Sequence, residues 1–292
     1  MLTTAPSAAA SPKLTPGAGR IEVTRADGAS AVVGLAARAP LHLLVPRPRG
    51  LAAWAYAATF GGGLVAGDTV SLAVNVGPGA RALLGTQAST KVYRSEGLPA
   101  LQHLEARVEE GALLAVLPDP VVCFAGAVYA QHQRFDLAPG ASLLFIDGLG
   151  AGRAARSERW RFASYRSVTE FYAAGRLLAR EALLLEDGPE GPIATRLGRF
   201  DALAFVVLLG PLLEATARAA LARLGERRVE LSPGVAVDPA RTSMLLASAS
   251  PVAGGVVIRV AAERPEEVAN FLRNLFETVP TLLGGDPWAR RG

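Results

Sequence analysis

Cysteine occurs once in the 292 residues, at Cys123. A single thiol excludes an intrachain disulfide framework and any thiolate-rich metal cluster. Histidine is nearly as scarce. His42, His103 and His132 show no H-x-H or H-E-x-x-H spacing, which argues against a resident zinc site. Aromatics make up only 6% of the chain, leaving few rings to stack sugars or bases. Lysine is reduced to Lys13 and Lys91, so nearly all of the 30 basic residues are arginine, interspersed with 26 acidic ones. A net charge of +4 distributed in this way forms no basic stripe and argues against nucleic acid as a partner. The longest strongly apolar run, "ALAFVVLLGPLL" (202–213), is too short to span a bilayer and holds a proline, so no membrane segment is expected. Residues 1–19 lack the basic start and apolar run of a secretion signal and read as a flexible tail. With the single cysteine, these features point to a soluble cytoplasmic protein whose residues 20–292 form one domain. Ser71, Ser89 and Ser95 lie in no G-x-S-x-G elbow, and no other catalytic constellation stands out.

What the chain does have is a period of two. In "TVSLAVNV" (69–76), Val70, Leu72, Val74 and Val76 face one way and the more polar residues the other, the pattern of a half-buried strand. It runs into Gly77-Pro78-Gly79, where proline presets one central turn position and glycine supplies φ > 0 at the next. The unit recurs as "VGPGARALL" (76–84), "VEEGALLAV" (108–116) and "LAPGASLLF" (137–145), placing Gly79, Gly111 and Gly140 at intervals of 32 and 29 residues. Such spacing predicts stacked β coils, each covering the apolar face of its neighbour. The expected fold class is therefore mainly β, a β-helix-like solenoid, with two α-helices in the C-terminal half. One helix opens near Pro211 and ends at Gly225. The other opens at Pro265, carries Val268, Phe271, Leu272, Leu275 and Phe276 on one stripe, and is expected to stop at Pro280. Arg153, Arg156, Arg159 and Arg161 partly alternate with Trp160 and Phe162, as on the outward face of a strand.

The stretch "GGGLVAGDT" (61–69) fits the phosphate-loop frame G-x-x-x-x-G-K-[ST] except that Asp68 occupies the lysine slot. At about 4 Å and an effective dielectric near 20, reversing that charge costs on the order of 8 kcal/mol toward a phosphate. A strand rather than a helix follows, so no helix N-terminus is available either. The loop is not a phosphate cradle. Its aspartate is a candidate for bonding the backbone N–H groups of its own turn.

Three segments together resemble the UreD (UreH) family of urease accessory proteins: "GGGLVAGD" (61–68), "LLGTQASTKVYRS" (83–95), and the block 117–160 with its G-R-x-A-x-x-E motif from Gly152 to Glu158. The strand 175–188 and the tail "LLGGDPW" (282–288) fit more loosely. Gly85, where a threonine is usual, and the ending "DPWARRG" depart from the family pattern. The resemblance implies a non-enzymatic β-helical scaffold that binds the helical protein UreF, which recruits the GTPase UreG. The assembly, a dimer of such heteromeric complexes, docks on urease apoprotein to deliver nickel. It further implies that Asp68, Asp147 and Glu181 lie along a transient Ni2+ route with no tightly bound cofactor, and that Thr90, Lys91, Tyr93 and Arg94 contact a partner. Arg176 and Arg180 are the nearest arginines in sequence to pair with Glu181. The residues alone leave one alternative, a carbohydrate-active β-helix lyase or hydrolase using paired carboxylates.

Overall fold

A computed structural model describes residues 14–47, 50–225 and 244–289. The first thirteen residues of the expected tail lie outside this range. The chain enters earlier than expected, as a hairpin of β1 (Ala18–Ala26) and β2 (Ala29–Ala37), followed by β3 (Leu41–Leu44) and β4 (Ala53–Thr59). Coils follow. The first is β5 (Thr69–Val76), β6 (Arg81–Thr86) and β7 (Thr90–Val92); the second is β8 (Ala100–Val108), β9 (Leu113–Leu117) and β10 (Val121–Cys123). The third begins with β11 (Val128–Leu137) and β12 (Ser142–Gly150), after which β13 (Ser164–Ala173) and β14 (Arg176–Glu186) close that end.

Each coil thus lays one strand on each of two long sheets, and the first two coils add a short strand on a third face. The seven-stranded sheet runs β14-β13-β11-β8-β5-β1-β2; its middle strands are parallel and its two edge strands antiparallel. The second sheet holds β12, β9, β6 and β4 in parallel. It continues antiparallel through β15 (Ala202–Leu209), β17 (Gly255–Ala262) and β16 (Leu245–Val252). On the third face β7 pairs with β10. Strand β5 coincides with the predicted 69–76, and its four valine and leucine positions are the buried ones.

The turn glycines explain the stacking. Gly79, Gly111 and Gly140 all have positive φ (63°, 65° and 75°), a conformation that costs an L side chain but not glycine. They sit one above another, with the Gly79 amide donating to the Glu110 carbonyl at 2.9 Å.

Between the two sheets lies one apolar core. A second covers the outer face of the ten-stranded sheet. Alternation along β12 serves both: Leu143 and Phe145 face inward, whereas Leu144 and Ile146 meet the helices. After a short helix α1 (Ile193–Arg196), that outer layer is built by α2 (Glu214–Gly225), α3 (Pro265–Leu275) and α4 (Val279–Leu283). Helix α2 follows a single 3₁₀ turn opened by Pro211. Helix α3 buries Val268, Leu272 and Leu275 and places Glu266 and Glu267 in its first turn, where they oppose the helix dipole. Pro280 does not stop it. The helix ends at Leu275, and Pro280 sits in the first turn of α4, where its missing N–H has no partner to lose. No helix among the described residues is long and apolar enough to cross a membrane.

The arginine-rich stretch 153–163 is not a strand. A 3₁₀ turn at Ala154–Arg156 and positive φ at Ser157 (59°) and Trp160 (54°) break the extended path. Trp160 folds inward instead, only 2% exposed, and its indole N–H donates to the Phe200 carbonyl at 2.9 Å.

Candidate functional site

The glycine-rich loop and the T-K-x-Y-R segment pack on each other along the third face. Leu64 pairs with Val92: its amide donates to the Lys91 carbonyl at 2.8 Å, and its carbonyl accepts from the Tyr93 amide at 2.9 Å. Gly63 has to be glycine because a Cβ there would lie 2.6 Å from both the Lys91 carbonyl oxygen and the Tyr93 ring. Gly63→Val is expected to lower stability by about 2 kcal/mol, through steric displacement of β7, as a shift of the urea midpoint. Asp68 caps this loop, its carboxylate accepting from the Val65 amide at 2.9 Å. Thr69 starts a strand, as expected, so no helix N-terminus follows the loop.

Of the remaining expected contact residues, Lys91 and Arg94 are exposed, and Tyr93 meets the Phe124 ring edge-on at 5.3 Å. Thr90 is half-buried and lines a partly open pocket instead. The G-R-x-A-x-x-E motif resolves into a bidentate pair, Arg153 to Glu158 at 2.8 and 2.6 Å, with the guanidinium 4.1 Å over Phe124. That bond holds the Glu158 carboxyl below its usual value and the Arg153 guanidinium above its own. Cys123, buried on β10, has its thiol pushed up to about 12 by burial, leaving it protonated and inert.

The polar chemistry lies between the sheets. Gln102, Gln131 and Ser167 occupy one register row across β8, β11 and β13; Gln133, Thr169 and Glu181 occupy the next across β11, β13 and β14. Gln131, Gln133, Ser167 and Thr169 are buried. From the facing sheet, β12 sends Asp147 into the first row. Its Oδ2 accepts from Gln131 Nε2 at 2.7 Å and from Ser167 Oγ at 3.1 Å. The Tyr129 hydroxyl lies 3.0 Å from Gln131 Oε1 and 3.2 Å from Gln102 Oε1, carrying the chain of polar contacts across the coils.

Burial raises the Asp147 carboxyl from 3.8 to about 6, with the Glu181 charge adding to it, and the Gln131 and Ser167 bonds oppose the rise. Burial first, and Asp147 second, push Tyr129 and Tyr165 well above their ordinary values, so both serve as neutral hydrogen-bonding groups.

Two spaces open onto these rows. A cavity of about 160 Å³ within the first coils is lined by Thr86, Thr90, Gln102 and Gln133, with Gly62 of the glycine-rich loop at its rim. A cleft of about 460 Å³ between β14 and the β15–β17 edge is lined by Asp147, Ser167, Glu181, Phe205 and Arg259. Asp147 and Glu181 therefore share a space, and Asp68 lines neither. Glu181 pairs with Arg259, not with Arg176 or Arg180; Arg180 is taken by Glu170 at 3.3 Å. No group of three His, Cys, Asp or Glu residues among those described is arranged to hold a metal ion.

Sequence reasoning missed Gln131, Ser167 and Arg259. The signals were present as phase violations. Along β11 the inward face reads Tyr129, Gln131, Gln133, Phe135, Leu137, so two amides fall on an otherwise apolar side. Arg259 is the one charge in the strand "GVVIRVAA".

Residues 15–291 match the family model described as UreD urease accessory protein. The chain is 50% identical over 277 residues to "Urease accessory protein UreD" of Anaeromyxobacter sp. (strain Fw109-5), covering 95% of this chain and 90% of that protein. It is 36% identical over 301 residues to "Urease accessory protein D" of Oryza sativa subsp. japonica, covering 96% of each. It is also 32% identical over 321 residues to "Urease accessory protein 4" of Cryptococcus neoformans, again covering 96% of each. The chain belongs to the UreD family of urease accessory proteins.

Proposed function

We propose that this protein serves urease maturation as a non-catalytic scaffold that passes nickel through its interior to the urease apoprotein, in complex with a UreF-like protein and a UreG-like GTPase in the cytoplasm. The observation that carries the reading is the polar row between the sheets: Gln102, Tyr129, Gln131, Ser167 and Asp147 run from the pocket in the first coils to the cleft. A β-helix gains no stability from burying amides and a carboxylate where leucines would pack, so this line has a use other than folding. Its donors suit a travelling cation. Carboxylates, amides and water bind Ni2+ more weakly than imidazoles or thiolates do, and a conduit requires release as much as capture.

In this reading Asp147 and Glu181 are the cation-facing carboxylates at the cleft, while Asp68 acts at the opposite end by fixing the loop whose Gly62 rims the cavity. Lys91, Tyr93 and Arg94 contribute to partner docking, with the exposed Phe60, Val65 and Leu98 on neighbouring loops adding apolar contact. The carbohydrate-enzyme alternative draws little from the cleft, because Tyr165 is 1% exposed and both carboxylates are already held by protein partners.

The test is nickel content and activity of urease apoprotein reconstituted with the accessory proteins. Asp147→Ala and Glu181→Ala are each expected to lower activation severalfold while the complex still assembles. Full activation by both variants would remove the route and leave only the scaffold.

A further inference from the structure

The structure assigns Arg259 the role of a built-in competitor that occupies Glu181 until a divalent cation displaces it. This inference rests on the route proposed above and adds its gate. Arg259 of β17 reaches across from one sheet to the other at the open edge of the cleft. Its Nε lies 3.2 Å and its Nη2 2.5 Å from the two Glu181 carboxylate oxygens, a fork-to-fork pair. Among the described residues lining the cleft, Asp147 and Glu181 are the acids and Arg259 the sole base. Register places the three in order. Asp147, Phe205 and Arg259 are directly opposite one another on β12, β15 and β17, so they share a face, with Arg259 two strands outward of Asp147. The Arg259 guanidinium carbon stands 5.6 Å from the Phe205 ring centroid, so the ion pair closes the side of the cleft beyond that ring.

A guanidinium keeps its charge at neutral and alkaline working pH, so in that range a competing cation is what opens this contact. The asymmetry of exposure sets which partner moves. The Arg259 side chain is 55% exposed and that of Glu181 26%, so the arginine can swing into solvent while the carboxylate stays at the cleft. A divalent cation entering between Glu181 and Asp147 offers Glu181 two charges in place of one. Until then Arg259 neutralises one of the two acids. The consequence is deliberate weakness: the metal has to displace a cation at Glu181, and the returning arginine favours its release.

The experiment is nickel titration of the full-length chain against a chromophoric chelator, for wild type, Arg259→Met, Arg259→Lys, Glu181→Gln and the Arg259→Met/Glu181→Gln double variant. Methionine keeps an apolar stem beside Phe205 and removes the charge, and near-ultraviolet circular dichroism checks folding. Arg259→Met is expected to lower the nickel Kd by about three- to tenfold, Arg259→Lys to change it little, and the double variant to match Glu181→Gln. An unchanged or higher Kd in Arg259→Met, or an equal gain in the Glu181→Gln background, overturns the inference. Failure of the underlying route looks different: Asp147→Ala and Glu181→Ala would then leave both nickel affinity and urease activation at wild-type values. If those two variants lose nickel and Arg259→Met gains nothing, the route stands and the gate falls.

Discussion

Truncating Phe145 to alanine is expected to cost about 3–5 kcal/mol of folding stability, seen as a fall in the urea midpoint at unchanged slope. Phe145 is fully buried on the inward face of β12, its ring 5.0 Å from Phe135, 5.6 Å from Phe171 and 6.4 Å from Phe205. Phe135 and Phe171 are themselves stacked at 5.4 Å. These four rings come from β11, β12, β13 and β15, so both sheets meet at this layer, and removing its centre leaves a cavity that rigid strands cannot collapse into. With total stability typically about 5–15 kcal/mol, the loss would leave the domain marginal. Phe145→Leu, which keeps most of the volume, should cost under about 2 kcal/mol. A loss below about 1 kcal/mol for the alanine variant would show that the coils shift to fill the space. The layer also serves the site. It lies two residues along β12 from Asp147 and seals the interior on that side, while Tyr129, Tyr165 and Phe162 pack on the other. The polar row thus lies between two aromatic layers.

Much of this fold is local, and what is local was readable. Alternation in 69–76 and the repeated turn glycines predict β5 and the stacking because a strand's buried face and a positive φ are properties of neighbouring residues. The third face was not readable. Strands β7 and β10 are three residues each, too short to display a period, and they exist because the coils above and below supply their partners. The arginine-rich run at 153–161 misled for the opposite reason: its alternation is real, but left-handed backbone at Ser157 and Trp160 turns it into a loop. For the candidate site, the family resemblance named Asp147 and Glu181, which the fold brings to one cleft, but not the residues they touch. Gln131, Ser167 and Arg259 lie 16, 20 and 78 residues from the carboxylates they touch, and only the closed solenoid brings them together.

The cost of that site gives the second large effect, opposite in sign to the first. Asp147→Asn is expected to make the folded chain more stable at pH 8 while, on the route proposed above, lowering nickel delivery. In the folded state the Asp147 carboxyl titrates at about 6 rather than 3.8, so the folded chain binds that proton more tightly than the unfolded chain does. The penalty is absent below about pH 4, grows as pH rises toward about 6, and is complete above it. At about 1.4 kcal/mol per tenfold, the shift sets an upper bound of about 3 kcal/mol, which solvent in the open cleft reduces to about 1–2. Asparagine removes the charge but keeps an oxygen to accept from both Gln131 Nε2 and Ser167 Oγ, so the hydrogen bonds survive the substitution. Urea midpoints measured against pH should therefore diverge for the two proteins between pH 4 and 6 and run parallel above that, the variant higher, whereas urease reconstituted with the variant should carry severalfold less nickel. A variant less stable than wild type at pH 8 would mean the buried carboxylate is held by its neighbours more strongly than burial opposes it. Asp147 would then be a structural anchor, and the case for a cation-seeking charge in this cleft would fall with it.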